Sequence, residues 1–163
     1  MIRRFLYLLV EESFRELRSR LLITQAALEA GFEIVVGQQW WFAANFHALP
    51  TGIVLVKGNN TIQATVMKTA RAFGHKVASI EEEAFGLKDV DIFHSLLDPR
   101  VENLCQLFLM HGDYQADLLK QRFPSASGRI SIVGNPRVDV LRNIRWSTPT
   151  GAAGAFALRH GKF

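Results

Sequence analysis

FLYLLVEESFRELRSRLLITQAALEAGFEIVVG, residues 5–37, reads as strand, helix, strand. Phe5–Val10 is an unbroken apolar run of strand length, closed at once by Glu11 and Glu12. Ser13 with Glu16 three positions on has the spacing of a capping box. Phe14, Leu17, Leu21 and Leu28 recur near one face of an amphipathic helix, and Gly31 suits its C-terminal stop. Residues 32–37 then form a second apolar run. A strand without polar alternation belongs in a sheet covered on both faces, and strand–helix–strand is the unit of a parallel sheet.

The same alternation continues along the chain. Residues 52–58, 75–80, 105–110 and 129–133 read as strands three to six. Residues 38–49, 59–74 and 112–124 read as helices, the second with a stripe of Ile62, Val66, Ala70 and Phe73. Residues 85–104 read as one or two short helices broken at Pro99. The expectation is an α/β fold: a Rossmann-like, doubly wound parallel sheet of about six strands. Phe5–Val10, Val54–Val56 and Leu107–Leu109 are its expected interior.

The totals agree with one domain. The chain has 163 residues, 48% hydrophobic and 21% charged, enough for one core. Its single cysteine, Cys105, allows no internal disulfide, which suits a reducing, cytoplasmic compartment. The opening MIRRFLYLLVEE resembles a secretory signal, but its apolar run is too short and too soon acidic. No run of about 18 uncharged apolar residues spans a bilayer. The formal net charge is +4 with a pI near 9.6, and Arg3, Arg4, Arg15, Arg18 and Arg20 concentrate the excess near the N-terminus. Such an excess favours anionic lipid or a phosphate-bearing ligand, and peripheral contact with an anionic membrane is one expectation; solvated helix faces account for the arginines at least as well. Arginines are not interleaved with aromatics as in single-strand binders, so nucleic acid is not an expected partner.

In a doubly wound sheet, ligands sit at the carboxyl ends of the strands, beside the switch in strand order. The loop after strand one lacks the G-x-G-x-x-G of a dinucleotide site. A P-loop at Gly161-Lys162 fails at Phe156 and Phe163. No cofactor is expected. Two acidic loops remain: Glu11-Glu12 after strand one, and Glu81 to Glu83 after strand four. In the order 3-2-1-4-5-6, strands one and four adjoin, and both loops would face one crevice. Crowded carboxylates raise one another's pKa, which suits Glu82 or Glu83 as a general base. The plain alternative is a helix first turn, where glutamates favour the dipole. Arg15 and Glu16 follow strand one. Lys57 ends strand three, where it can reach an anion at the next helix start. His111-Gly112 ends strand five. His47, His75, His94 and His160 lack metal-binding spacing, so no metal site is expected. Trp40-Trp41 reads as cover for the sheet edge or an interface.

The ordered set VEESFRELRSRLL, EIVVG, LPTGIVLVKG, SIEEEAF, FLMHG and IVGNPRVDVLR resembles bacterial surface carbohydrate biosynthesis proteins. That group has the two-domain GT-B architecture. GNPRVD, residues 134–139, is also similar to a turn in CDP-glycerol glycerophosphotransferase-like enzymes and UDP-N-acetylglucosamine 2-epimerases. The resemblance implies that residues 1–143 are a Rossmann-like, acceptor-side domain and that 144–163 lead toward an absent C-terminal domain. It implies an inverting glycosyltransferase acting in surface polysaccharide or capsule synthesis at the inner face of the plasma membrane. A carbohydrate acceptor would bind here, and the nucleotide-sugar donor in the other domain. Glu82 or Glu83 would take the acceptor proton. Glu11, Glu12, Arg15, Glu16, Lys57, His111, Gly112, Asn135, Pro136 and Arg137 would line the substrate. Two alternatives stay open: a non-catalytic binding module or remnant, and half of an epimerase-like enzyme.

Overall fold

The computed structural model describes residues 3–82 and 89–143. Its centre is one six-stranded sheet: β1 (Phe5–Val10), β2 (Glu33–Gln38), β3 (Gly52–Lys57), β4 (Lys76–Ile80), β5 (Leu107–Met110) and β6 (Ile130–Ile132). Every pairing is parallel. The expected α/β class and strand count therefore hold, and residues 5–10 form a strand of this sheet.

The strand order is β2-β1-β3-β4-β5-β6, which corrects the expected 3-2-1-4-5-6. The chain reverses direction after β2, not after β3, so β3 lies between β1 and β4. The switch point is accordingly at β1 and β3, as in flavodoxin-like sheets. Right-handed crossovers then dictate the layers. Helix α1 (Ser13–Glu29) covers one face. On the other lie α2 (Gln39–Asn45), α3 (Thr61–Ala72), α4 (Val90–Leu96), α5 (Val101–Leu104) and α6 (Asp113–Arg122). Helix α7 (Pro136–Asn143) returns to pack beside α1. The two short helices α4 and α5 flank Pro99, as expected.

The larger core lies under α2–α6. Tyr7, Leu9, Val54, Val56, Phe108 and Met110 of the sheet meet Phe42, Met67, Phe93 and Leu119 of the helices. The α1 face is smaller, built on Leu8, Leu55, Ala78 and Ile80 with Ile23 against them. Of the three runs expected inside, Val54–Val56 is buried throughout. Phe5, Leu6 and Leu109 are half-buried and Leu107 is exposed.

Helix α1 is turned the opposite way from its apolar pattern. Phe14 is 97% exposed, and Leu17, Leu21 and Leu28 are exposed too. The buried residues of α1 are Glu16, Ser19 and Arg20. The capping box does not form. Glu12 is the N-cap without a side-chain bond, and Glu16 Oε2 instead accepts the Glu11 N–H at 2.9 Å. In α3 the same displacement is milder: Val66 and Ala70 are buried, while Ile62 and Phe73 are exposed.

The turn after β6 behaves as its residues require. Gly134 has φ +80, a left-handed conformation that costs glycine little. Pro136 opens α7, where its missing N–H would have no helical acceptor. Asn135 Oδ1 accepts the Arg137 N–H at 3.0 Å, and the Asn135 carbonyl accepts that of Val138.

Candidate functional site

Parallel strands deliver every following loop to one edge of the sheet. At the switch point, Lys57 at the end of β3 meets α1 and the loop after β1. Its Nζ lies 2.7 Å from Glu11 Oε2 and 2.8 Å from Glu16 Oε1. Glu11 Oε1 also accepts from Gln39 Nε2 and Gln63 Nε2, each at 2.8 Å. One ammonium thus stands between two carboxylates, with amides from α2 and α3 completing the Glu11 shell. Arg15 reaches to 3.7 Å from Glu16. Glu12 lies outside this network and is exposed.

Glu82 is separate and deeper. Arg20, fully buried, donates from Nη1 to Glu82 Oε1 at 2.5 Å and from Nη2 to Oε2 at 3.4 Å. Its Nε donates to the Leu9 carbonyl at 3.1 Å. Both side chains have no exposure. The expected convergence of Glu11 and Glu82 on one open crevice is therefore corrected: β3 intervenes, Glu11 goes to Lys57, and Glu82 is sealed against Arg20 under α1. Glu83 lies outside the described residues.

A small cavity opens beside β3 and β4, with a volume of about 90 Å³. Gly58, Asn59 and Asn60 form one side, Glu81 another, and Phe93, Leu96 and Leu97 the apolar wall. Gly58 has φ +75, and an added Cβ there would stand 3.6 Å from the Glu81 carboxylate. Asn59 Nδ2 donates to Glu81 Oε2 at 3.3 Å. Asn59 Oδ1 is buried without a hydrogen-bond partner, and such an acceptor costs about 1–3 kcal/mol if nothing donates to it. Asn60 caps α3, accepting the Gln63 N–H at 3.0 Å. The wall is fixed from behind: the Asn59 carbonyl accepts the Asp98 N–H, and Asp98 takes Arg100 Nε and Nη2 at 2.9 and 2.7 Å.

The remaining expected residues divide between two places. His111 lies near the cavity, with Nδ1 3.3 Å from the Glu81 carbonyl, and Gly112 is the N-cap of α6. Asn135 is buried in its turn, and Pro136 borders the gap between α1 and α7. Arg137 joins Arg15 and Arg18 along an outer cleft between α1 and α7 of about 430 Å³. Sequence reasoning missed Arg20, Asn59 and Gln63. Asn59 had one signal, its place directly after Gly58 at a strand end. Among the described residues no three His, Cys, Asp or Glu side chains are grouped to hold a metal, and no helix is long and apolar enough to cross a membrane.

Two of the described carboxyls, Glu16 and Asp98, lie below their ordinary values. Burial alone would raise the Glu16 pKa, but the Lys57 hydrogen bond, the Glu11 N–H and the charges of Lys57 and Arg20 outweigh it and hold it below 4.5. Hydrogen bonds from Arg100 hold Asp98 well below the usual carboxylate range, against the opposing effect of burial. Both groups bind protons less readily folded than unfolded, so their stabilisation is present above the unfolded values and lost as pH falls. Urea midpoints are expected to fall progressively between about pH 5 and pH 3. A midpoint constant over that range would contradict these assignments.

No protein-family model matches the chain, and no curated protein is significantly similar to it.

Proposed function

We propose that this is the acceptor-side domain of a glycosyltransferase-like protein of bacterial surface polysaccharide synthesis, working at the inner face of the plasma membrane. The observation that supports the reading is the cavity at the carboxyl ends of β3 and β4. It presents an unsatisfied acceptor, Asn59 Oδ1, and a carboxylate, Glu81, beside an apolar wall. A sugar hydroxyl has the matching donor, and the apolar wall suits the C–H face of a ring. In the proposed reaction an acceptor hydroxyl gives its proton to a carboxylate as its oxygen attacks the anomeric carbon, and the nucleotide leaves with the bonding pair. Glu81 is the described carboxylate lining the cavity, and Glu83 follows two residues later. Glu82 contributes through the fold, by holding Arg20. The nucleotide-sugar donor would be bound outside residues 3–143.

In the full gene product, Glu81→Gln is expected to keep the fold and to lower sugar transfer about a hundredfold, the usual contribution of a general base. Near-normal transfer would remove Glu81 from the reaction. Calorimetry of the 163-residue chain against UDP-, CDP- and CMP-sugars should show no micromolar binding. Tight binding of any of them would contradict the placement of the donor site.

One observation favours a second reading, a non-catalytic binding module. Glu11, Glu16, Lys57, Arg20 and Glu82 already satisfy one another, as a purely structural network would. Saccharide binding in the cavity without transfer by the full gene product would support it.

A further inference from the structure

Helix α1 presents an unusual outer face. Its buried side is polar because it sits over Lys57 and Glu82, so its apolar residues are left outside. Phe14 is 97% exposed, Leu17 is exposed, and Leu141 of α7 stands beside them. Arg18 and Arg137 line the same cleft together with Arg15, whose guanidinium lies 3.7 Å from the buried Glu16 carboxylate. An isologous contact between two copies would set these three arginines against their equivalents, a like-charge arrangement. An anionic bilayer meets both requirements, because phosphates neutralise the guanidiniums while Phe14 and the leucines enter the acyl boundary. We infer that the α1–α7 face docks on an anionic membrane surface, with Phe14 as its deepest apolar anchor. This rests on the membrane-side placement proposed above, but it is read without any measurement of sugar transfer.

Sedimentation with phosphatidylcholine vesicles, with and without about one third phosphatidylglycerol, is the test. The chain should partition onto the anionic vesicles only, and less so as salt rises. Arg18→Gln should lower the partition coefficient about fivefold, roughly the value of one basic residue near such a surface. Phe14→Ser should lower it about tenfold or more, the loss expected when one large side chain leaves the acyl boundary. Trp40→Ser, which removes an exposed aromatic elsewhere, should leave it unchanged. Phe14 and Arg18 are exposed, so circular dichroism and thermal midpoints should match the parent. The inference is overturned if anionic vesicles are not bound, if neutral vesicles bind equally well, or if Phe14→Ser and Arg18→Gln bind like the parent. It is also overturned if the face instead pairs two copies, seen as a dimer in sedimentation equilibrium that Phe14→Ser dissociates while vesicles stay unbound. Sugar transfer that fails while vesicle binding behaves as stated would count against the glycosyltransferase reading alone.

Discussion

Glu82→Gln is expected to destabilise the fold by about 3–5 kcal/mol, the usual cost of removing one partner from a buried ion pair. Arg20 is fully buried, and its two bonds to Glu82 are the contacts that neutralise it. The amide offers one oxygen and no charge, so the guanidinium keeps its desolvation cost without its counter-charge. Removing both partners is different. Arg20→Met with Glu82→Leu replaces the pair by apolar groups of similar volume and should recover most of the loss, since such replacements are often neutral. Urea denaturation of the parent and the two variants measures this. A Glu82→Gln midpoint equal to that of the parent would show that Glu82 is not sealed against Arg20.

Lys57→Met should cost a similar amount at neutral pH, and its effect should depend on pH. Lys57 lies between Glu11 and Glu16. Without it, the buried Glu16 loses the largest of the effects that lower its pKa, and burial then pushes that pKa up. A carboxyl whose folded value rises above its unfolded value is stabilising in its protonated form, and that stabilisation is lost as pH rises. The gap in stability between parent and variant should therefore shrink from pH 7 to pH 4. Equal losses at both pH values would mean that Glu16 does not depend on Lys57.

The strands were legible because each is a short apolar run between helix-length segments, and a strand inside a parallel sheet is wet on neither face. Their order was not legible. Whether the chain reverses after β2 or after β3 is decided by which helix packs on which face, and no single residue between 38 and 52 records it. The site expectation inherited that error. Glu11 and Glu82 face one crevice only if strands one and four adjoin, and β3 separates them.

The outward stripe of α1 shows a second limit. Phe14, Leu17, Leu21 and Leu28 have helical spacing, and an amphipathic helix ordinarily buries such a face. Here Glu16 and Arg20 are drawn inward by Lys57 and Glu82, which are 41 and 62 residues away. Periodicity is local and these partners are not. His75 is buried between the Gly52 N–H and the Phe46 carbonyl, a hydrogen-bonded structural histidine. The clustering of Arg15 with Arg137 was legible in part, since both follow strands of one parallel sheet and so lie at the same edge.

The cavity is where function and geometry meet, and backbone amide shifts can read it. Nuclear magnetic resonance of the 163-residue chain, titrated with a panel of neutral and acidic saccharides, should show saturable shifts at Gly58, Asn59, Asn60 and Glu81. Asn59→Ala should abolish them while leaving the rest of the spectrum in place. Saccharides that leave those four amides unmoved, or that shift only residues on another face of the sheet, would contradict the acceptor site at β3 and β4.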